Sequence, residues 1–209
     1  MRIFEIFRSI QGETTRVGLV MWFVRVAGCD LSCVYCDTPE ARRPDAGREM
    51  SVPEILDAVA QPPLPYCMIT GGEPLLQLDE VNALAAALID RGCEVLIETS
   101  GAHPIEDTEP RARRIVDIKT PGSGMAGRNC WLNLERLTES DEAKFVLTDR
   151  RDYEWAKDVV ARHRLLEQTA VLFGPARGYL GPNELARWIV EDALPVRLNL
   201  QIHRSLGLP

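Results

Sequence analysis

Apolar and polar positions along the chain follow two alternating rhythms. Over residues 77–92, QLDEVNALAAALIDRG, apolar side chains recur at Val81, Leu84, Ala85, Leu88 and Ile89. This is the i, i+3, i+4 spacing of a helix with one buried face. Asp79 is placed to cap its start, and Gly92 to end it. The next segment, CEVLIETSG, has the short continuous apolar run of a buried strand, closed by Gly101. Similar runs lie at 66–72, 114–120, 143–148, 169–174 and 196–201, and helical patterns fill 52–60, 77–91, 150–163 and about 182–192. Strands alternating with helices predict βα units and a parallel sheet.

Most runs end in polar or small residues: TGGEP, ETSG, DIKTPGSG, QIH. In parallel α/β sheets and barrels that is the edge where ligands bind. A complete eight-fold barrel takes roughly 250 residues. This chain has 209, and its first 50 stand outside the alternation. The expected architecture is therefore α/β, an incomplete (partial) TIM-type βα barrel, formed as a single domain over 1–209. Spacing alone leaves a generic doubly wound sheet open.

Composition narrows the function classes. With a net charge of −7 the chain lacks the basic surface of a nucleic-acid binder. It has no stretch of 18 apolar residues and no signal-peptide pattern at its start, so no membrane span is expected. A cytoplasmic location follows as the expectation, and there the 6 cysteines point to metal or catalysis before disulfides.

Cys29, Cys33 and Cys36 fall within AGCDLSCVYCDTPE, a C-x3-C-x2-C spacing. Three thiolates on one loop can hold a [4Fe-4S] cluster, whose full cysteine ligation takes four, and leave one iron open. A zinc site drawing on Cys67, Cys93 or Cys130 is the alternative, and unligated thiols a third. His103, His163 and His203 are remote from the loop in sequence. Cys67 and Cys93 lie in apolar runs, as small buried hydrophobes do, and Cys130 is read as structural.

The cysteine spacing with Tyr35 before the last cysteine resembles the radical S-adenosylmethionine enzymes, and TGGEP (70–74) is similar to their second signature. The resemblance implies that the methionine end of the cofactor chelates the open iron. Cleavage of the sulfonium then yields a 5′-deoxyadenosyl radical. Gly71 and Gly72 would admit the cofactor's amino group closely, with Glu73 or local carbonyls accepting its protons.

The flanking residues resemble one family more closely. EIFRSIQGETTRVGLVMWFVRVAGCDLSCVYCDTPEA, TGGEPLLQ, IETSGAHPI, DIKTPGSG, DEAKFVL and LQIHRSLGLP are similar, in this order, to the 7-carboxy-7-deazaguanine synthases. That resemblance implies ring contraction of 6-carboxytetrahydropterin with loss of ammonia, assisted by magnesium. It carries Cys29, Cys33 and Cys36 over as cluster ligands and Thr38 as the magnesium ligand. Cofactor contacts would be Tyr35, Cys36, Asp37, Gly72, Glu73, Ser100, Asp117, Ile118, Lys119, Phe173, Gly174, Pro175 and Ala176. The pterin would meet Ile10, Gln11, Gly12, Glu13, Arg25, Thr70, His203 and Pro209. A guanidinium such as Arg25 suits a carboxylate through its planar fork, and Glu13 can accept from a 2-aminopterin edge. A homodimer and a flavodoxin-type electron donor are implied on the same footing.

Each of these residues also has an ordinary reading. Arg25 and Lys144 could be ion pairs, His203 a satisfied polar side chain, Thr38 and Asp37 caps of a turn. RARR (111–114) reads as a solvated stretch. Thr14 stands where the family commonly has glycine, so that loop is expected to take another backbone path. The segment 41–50, ARRPDAGREM, carries no assigned role beyond replacing missing barrel elements. Two rivals remain: an activating enzyme that installs a glycyl radical on a partner protein, and a zinc-binding structural module.

Overall fold

A computed structural model describes residues 1–209. Nine strands form one sheet: β1 Arg2–Ile10, β2 Val20–Val26, β3 Arg48–Glu49, β4 Tyr66–Gly71, β5 Glu94–Thr99, β6 Arg113–Asp117, β7 Glu142–Leu147, β8 Ala170–Pro175 and β9 Arg197–Leu198. Their order across the sheet is β3-β1-β2-β4-β5-β6-β7-β8-β9. From β2 to β9 every neighbour is parallel, while β1 pairs antiparallel with β2 and with β3. The helices α1 Val52–Ala58, α2 Leu78–Asp90, α3 Arg150–Arg162, α4 Pro182–Glu191 and α5 Ile202–Ser205 complete the chain. The repeated βα rhythm of the sequence is the one the chain folds into.

The two ends of the sheet lie close together. The loop joining β1 to β2 reaches Asn199 and Ile202 beyond β9: Thr14 N donates to Asn199 Oδ1 at 2.9 Å, and Ile202 N donates to Gly12 O at 3.1 Å. The outermost strands β3 and β9 do not pair with each other. The sheet is thus rolled but unclosed, an incomplete barrel, with the 11–16 loop plugging its N-terminal mouth. There Thr15 Oγ1 donates to Glu142 Oε1 at 2.5 Å, and Arg16 Nε donates to Glu94 Oε1 at 2.8 Å.

Strand alternation divides the apolar residues into two populations. Val24, Ile69, Ile97, Val116, Ala143, Phe145 and Phe173 face outward into the main core, against Val81, Leu84, Ala85 and Leu88 of α2 and Tyr153, Ala156 and Val160 of α3. Met21, Phe23, Met68, Leu96 and Ile115 face inward as a smaller apolar cluster. Phe173 is fully buried in the outer population, so its side chain points away from the barrel interior. Burying such side chains contributes about 1.5–3 kcal/mol each.

Three local expectations change. Asp79 is not the cap of α2: a 3-10 turn, Pro74–Gln77, runs straight into the helix, and Gln77 takes the N-cap position with no side-chain capping bond. Its amide is used elsewhere, accepting from Arg2 N and donating to Arg2 O and Ala27 O. Asp79 instead sits in the first turn, where a carboxylate suits the helix dipole. Thr14 does take a special backbone path, but it is the left-handed one that glycine favours, φ 64°. For a β-branched residue that costs about 1–2 kcal/mol, sustained by the bond to Asn199 and by Arg16 N donating to Thr14 Oγ1 at 3.0 Å. Segment 41–50 has a role: it supplies β3, and Gly28 N and Cys29 N donate to the carbonyls of Ala41 and Arg42.

Asp152, buried at the start of α3, accepts from Thr120 Oγ1, Gly122 N, Thr148 N and Thr148 Oγ1 at 2.7–2.9 Å. It ties the ends of β6 and β7 together. Truncation would leave these donors unmet, each costing about 1 kcal/mol or more. Asp152→Ala is expected to lower stability by about 2–4 kcal/mol, roughly 5–10 °C in melting temperature. A melting curve that overlays the wild type would contradict this account of the strand ends.

Candidate active site

The inward-facing apolar cluster forms a floor. One alternation step nearer the C-terminal ends, the inward positions are Arg25 on β2, Thr70 on β4, Glu98 on β5, Asp117 on β6 and Lys144 on β7. All five line a single cavity of about 220 Å³. On β2, β4, β5 and β6 the inward face thus switches from apolar to polar at one level of the barrel, the bottom of the site, while β7 is polar below it as well, at Glu142. Gln11 rises from the plug to meet it, its Nε2 lying 2.9 Å from Met68 Sδ.

Lys144 is the centre of the polar tier. Its ammonium is buried between Glu13, with which it makes a short ion pair, and Glu98, whose Oε1 accepts at 2.7 Å. Burial works against the charge on Lys144, but Glu13 and Glu98 outweigh it and hold the pKa well above the ordinary value. Burial likewise pushes Glu98 up, and Lys144 more than reverses that, leaving the carboxyl below the usual range. The C-terminal segment adds a second layer. Gln201 Nε2 donates to Glu13 Oε1 at 2.6 Å, and Arg204 Nη2 donates to Asp37 Oδ2 at 2.9 Å. His203 packs against Gly12 so closely that any side chain at 12 would overlap the imidazole. Burial lowers the His203 pKa, favouring the neutral ring. Arg25 Nε donates to Glu5 Oε1 at 2.8 Å, and its terminal nitrogens have no partner in the chain.

The opposite wall is the cysteine loop. Cys29, Cys33 and Cys36 all line the cavity and are partly buried. The loop is pinned at its start by the Ala41 and Arg42 carbonyls, in its middle by Val34 N donating to Ser123 O at 3.1 Å, and internally by Cys36 N donating to Cys33 O at 3.2 Å. His103, remote in sequence, folds onto it, with Nε2 at 3.1 Å from Asp30 Oδ1. Arg128 Nη2 donates to the other Asp30 oxygen at 2.5 Å. Burial pushes the Cys29 and Cys33 thiols up. Ligation to iron reverses such a shift, because a bound cation holds the thiolate form.

The three thiols do not converge on one point: no three His, Cys, Asp or Glu side chains are grouped to hold one metal ion. All three cysteines line the one cavity, and three is the number that would leave one iron of a four-iron cluster open. Beside them the turn after β4 brings backbone unusually near. Gly71 has φ 152°, and a Cβ at Gly72 would overlap the carbonyl oxygen of Gly28. Asp117 Oδ1 and Tyr35 Oη are buried without any partner in the chain. An acceptor and a donor left open in a cavity wall fit a polar ligand such as S-adenosylmethionine.

Most expected site residues meet at this cavity: Ile10, Gln11, Glu13, Arg25, Thr70, His203 and Pro209 on one side, Tyr35, Asp37, Thr38, Gly72, Ser100, Asp117, Lys119, Gly174, Pro175 and Ala176 with the cysteines on the other. Four do not line it. Gly12 lies behind His203, and Ile118 and Phe173 are buried apolar side chains outside the cavity. Glu73 is fully buried and accepts from Leu75 N, Thr99 Oγ1 and Ser100 N at 2.7–2.9 Å. Its carboxylate therefore ties the β4 and β5 ends together, and only nearby carbonyls remain to meet a cofactor amine. Short sequence clusters do not point to Glu98, Asn199, Gln201, Arg42 or Arg177, all of which line the cavity; Lys144 makes the ion pairs its ordinary reading expects and lines the cavity as well. The period-2 alternation of ETSG and DEAKFVL, carried one step further, would have placed Glu98 and Lys144 inward.

Replacing Lys144 by methionine leaves two carboxylates facing each other in a buried site. In the wild type the depressed Glu98 contributes stability above its unfolded pKa, lost as pH falls through the folded value. Without the cation, burial alone raises that pKa, so the penalty is largest at high pH and shrinks on acidification. Lys144→Met is expected to lose about 3 kcal/mol at pH 8 and distinctly less at pH 5. Melting at the two pH values checks this; an equal loss at both would contradict the paired-carboxylate geometry.

Comparison with known proteins agrees with this geometry. The sequence model of the Radical SAM superfamily matches residues 23–118, from β2 through the cysteine loop to the DIK segment. The 7-carboxy-7-deazaguanine synthase of Chlorobaculum tepidum is 43% identical over 212 residues, covering 100% of this chain and 95% of that protein. The enzyme of the same name from Koribacter versatilis is 41% identical, covering 100% and 98%. That from Methanospirillum hungatei is 40% identical, covering 100% and 86%. The crystal structure of QueE from Escherichia coli matches with a TM-score of 0.75 at 23% identity, covering 95% of this chain and 92% of that one, a likeness of fold. With a cysteine wall and a polar clamp around one cavity, and with full-length relatives at this identity, the chain belongs to the 7-carboxy-7-deazaguanine synthase family of radical S-adenosylmethionine enzymes.

Proposed function

We propose that this chain, as a single radical S-adenosylmethionine domain, converts 6-carboxy-5,6,7,8-tetrahydropterin to 7-carboxy-7-deazaguanine with loss of ammonia. The observation that carries the reading is the division of one cavity into two unlike halves. The cysteine loop and the strand ends of β4 to β6 form one. The plug and the C-terminal segment form the other, over an apolar floor that keeps bulk water out from below.

In the first half Cys29, Cys33 and Cys36 would hold a [4Fe-4S] cluster. Tyr35, Asp37, Gly72, Ser100, Asp117 and Lys119, with backbone of 118 and 173–176, would cradle S-adenosylmethionine. Bound there, cluster and cofactor would supply the one-electron chemistry that starts the reaction. The chain's own contribution is to orient them. Asp117 Oδ1 is open to a ribose hydroxyl, and Lys119 Nζ, donating to Asp117 Oδ2 at 2.7 Å, holds that carboxylate in place. The Thr99–Glu73–Ser100 bonds hold the β4 and β5 ends at constant separation.

In the second half Glu13 and Gln11 would receive the amino edge of the pterin, with backbone of 10–12, Thr70 and His203 around the ring. The free terminal nitrogens of Arg25 would take the carboxylate, and Pro209, whose main-chain oxygen accepts from Ser9 Oγ at 2.8 Å, closes the side. Thr38 Oγ1 donates to Asp37 Oδ1, so its lone pairs would be free to hold a magnesium ion, which would supply positive charge for the substrate carboxylate. Magnesium keeps most of its waters and takes few protein ligands. The same reading includes a homodimer, a flavodoxin-type electron donor and a cytoplasmic setting, with neither nucleic acid nor membrane as partner. No helix is long and apolar enough to cross a membrane.

The test is anaerobic turnover. Cluster-reconstituted protein is given dithionite, S-adenosylmethionine, magnesium and 6-carboxytetrahydropterin, and 7-carboxy-7-deazaguanine is sought by mass. Product is expected from the wild type and none from Cys33→Ala. Accumulation of 5′-deoxyadenosine without that product would keep the radical chemistry and overturn the substrate.

A further inference from the structure

The cations of the cavity differ in one respect. Lys144 is neutralised by Glu13 and Glu98, Lys119 by Asp117, and Arg25 is bonded to Glu5. Arg42 makes no ion pair and no side-chain hydrogen bond, and its Nε is buried without a partner. Arg177 is also unpaired, but it is exposed at the rim. A buried guanidinium nitrogen without an acceptor costs free energy unless a ligand supplies one.

Its position says which ligand. Arg42 follows Ala41, whose carbonyl accepts from Gly28 N, and its own carbonyl accepts from Cys29 N at 3.0 Å. It therefore stands beside the first cysteine and the close-approach glycine Gly72. On this wall Glu73 is fully engaged by Leu75, Thr99 and Ser100, which leaves Arg42 as the cation without a carboxylate partner where the amino-acid end of the cofactor would lie.

Resting on the cofactor reading above, we propose that Arg42 is the recognition residue for the α-carboxylate of S-adenosylmethionine, drawn from the segment that braces the cysteine loop. Its guanidinium donates to the carboxylate, positioning the amino-acid end for the iron left open by three cysteines. No bond is made or broken by the residue.

The experiment compares two nucleosides on cluster-reconstituted protein by anaerobic calorimetry. S-adenosylhomocysteine carries the amino-acid end, and 5′-methylthioadenosine lacks it. Arg42→Ala is expected to weaken S-adenosylhomocysteine roughly 10- to 100-fold and leave 5′-methylthioadenosine unchanged. The unchanged nucleoside also shows that the variant is folded around its cavity. Arg42→Lys, keeping charge without the fork, falls between, and Arg177→Ala keeps wild-type affinity for both. The proposal is overturned if Arg42→Ala binds S-adenosylhomocysteine normally, if it loses both nucleosides alike, or if Arg177→Ala produces the selective loss. A wild-type protein that binds neither nucleoside would overturn the cofactor reading and this assignment with it.

Discussion

A rolled parallel sheet that does not close must have its gap held by something other than strand pairing. Here the work is done by a few hydrogen bonds between the β1–β2 loop and the segment after β9: Thr14 to Asn199, Ile202 to Gly12, and Gln201 to Glu13. The strained backbone at Thr14 belongs to this seam. So does the contact of His203 with Gly12, where only glycine leaves room for the ring. Residues from the two extremes of the chain are thereby brought to one side of one cavity, which a closed barrel would build from consecutive strand ends.

The second constraint is electrostatic. Almost every charge facing the cavity is balanced within the chain, so the site is polar but close to neutral. Buried ion pairs of this kind give little net stability and mainly fix geometry, since losing either partner strands the other. Lys144 between two carboxylates fixes the plug against β5 and β7. Lys119 fixes Asp117 in the same way on the cofactor side. Against that background the unpaired groups stand out: the open oxygen of Asp117, the hydroxyl of Tyr35, the terminal nitrogens of Arg25, and Arg42.

Much of the fold was legible because periodicity reports burial directly. The stripe on α2 and the runs at β4 to β8 needed only alternation and turn residues. What failed was local. Asp79 looked like a cap because no pattern shows that a 3-10 turn precedes the helix, and Gln77 was needed to bridge to Arg2. Phe173 was grouped with its neighbours although alternation sends it to the opposite face from Gly174. The site was legible where residues lie in short clusters, as with the cysteines and TGGEP. It was illegible where chemistry is assembled across the chain: Glu13 with Lys144 and Gln201, or His103 with Asp30. Segment 41–50 had no pattern to read, because its work is done by main-chain carbonyls and one edge pairing.

The measurement that reaches the central claim most directly is an anaerobic crystal structure with cluster, S-adenosylmethionine and 6-carboxytetrahydropterin bound together. The account predicts both small molecules in the one cavity, the cofactor against the cysteine loop and the pterin between Glu13 and Arg25 over the Met68–Phe23 floor. A pterin bound outside this cavity, or a cofactor lodged on the plug side, would contradict it.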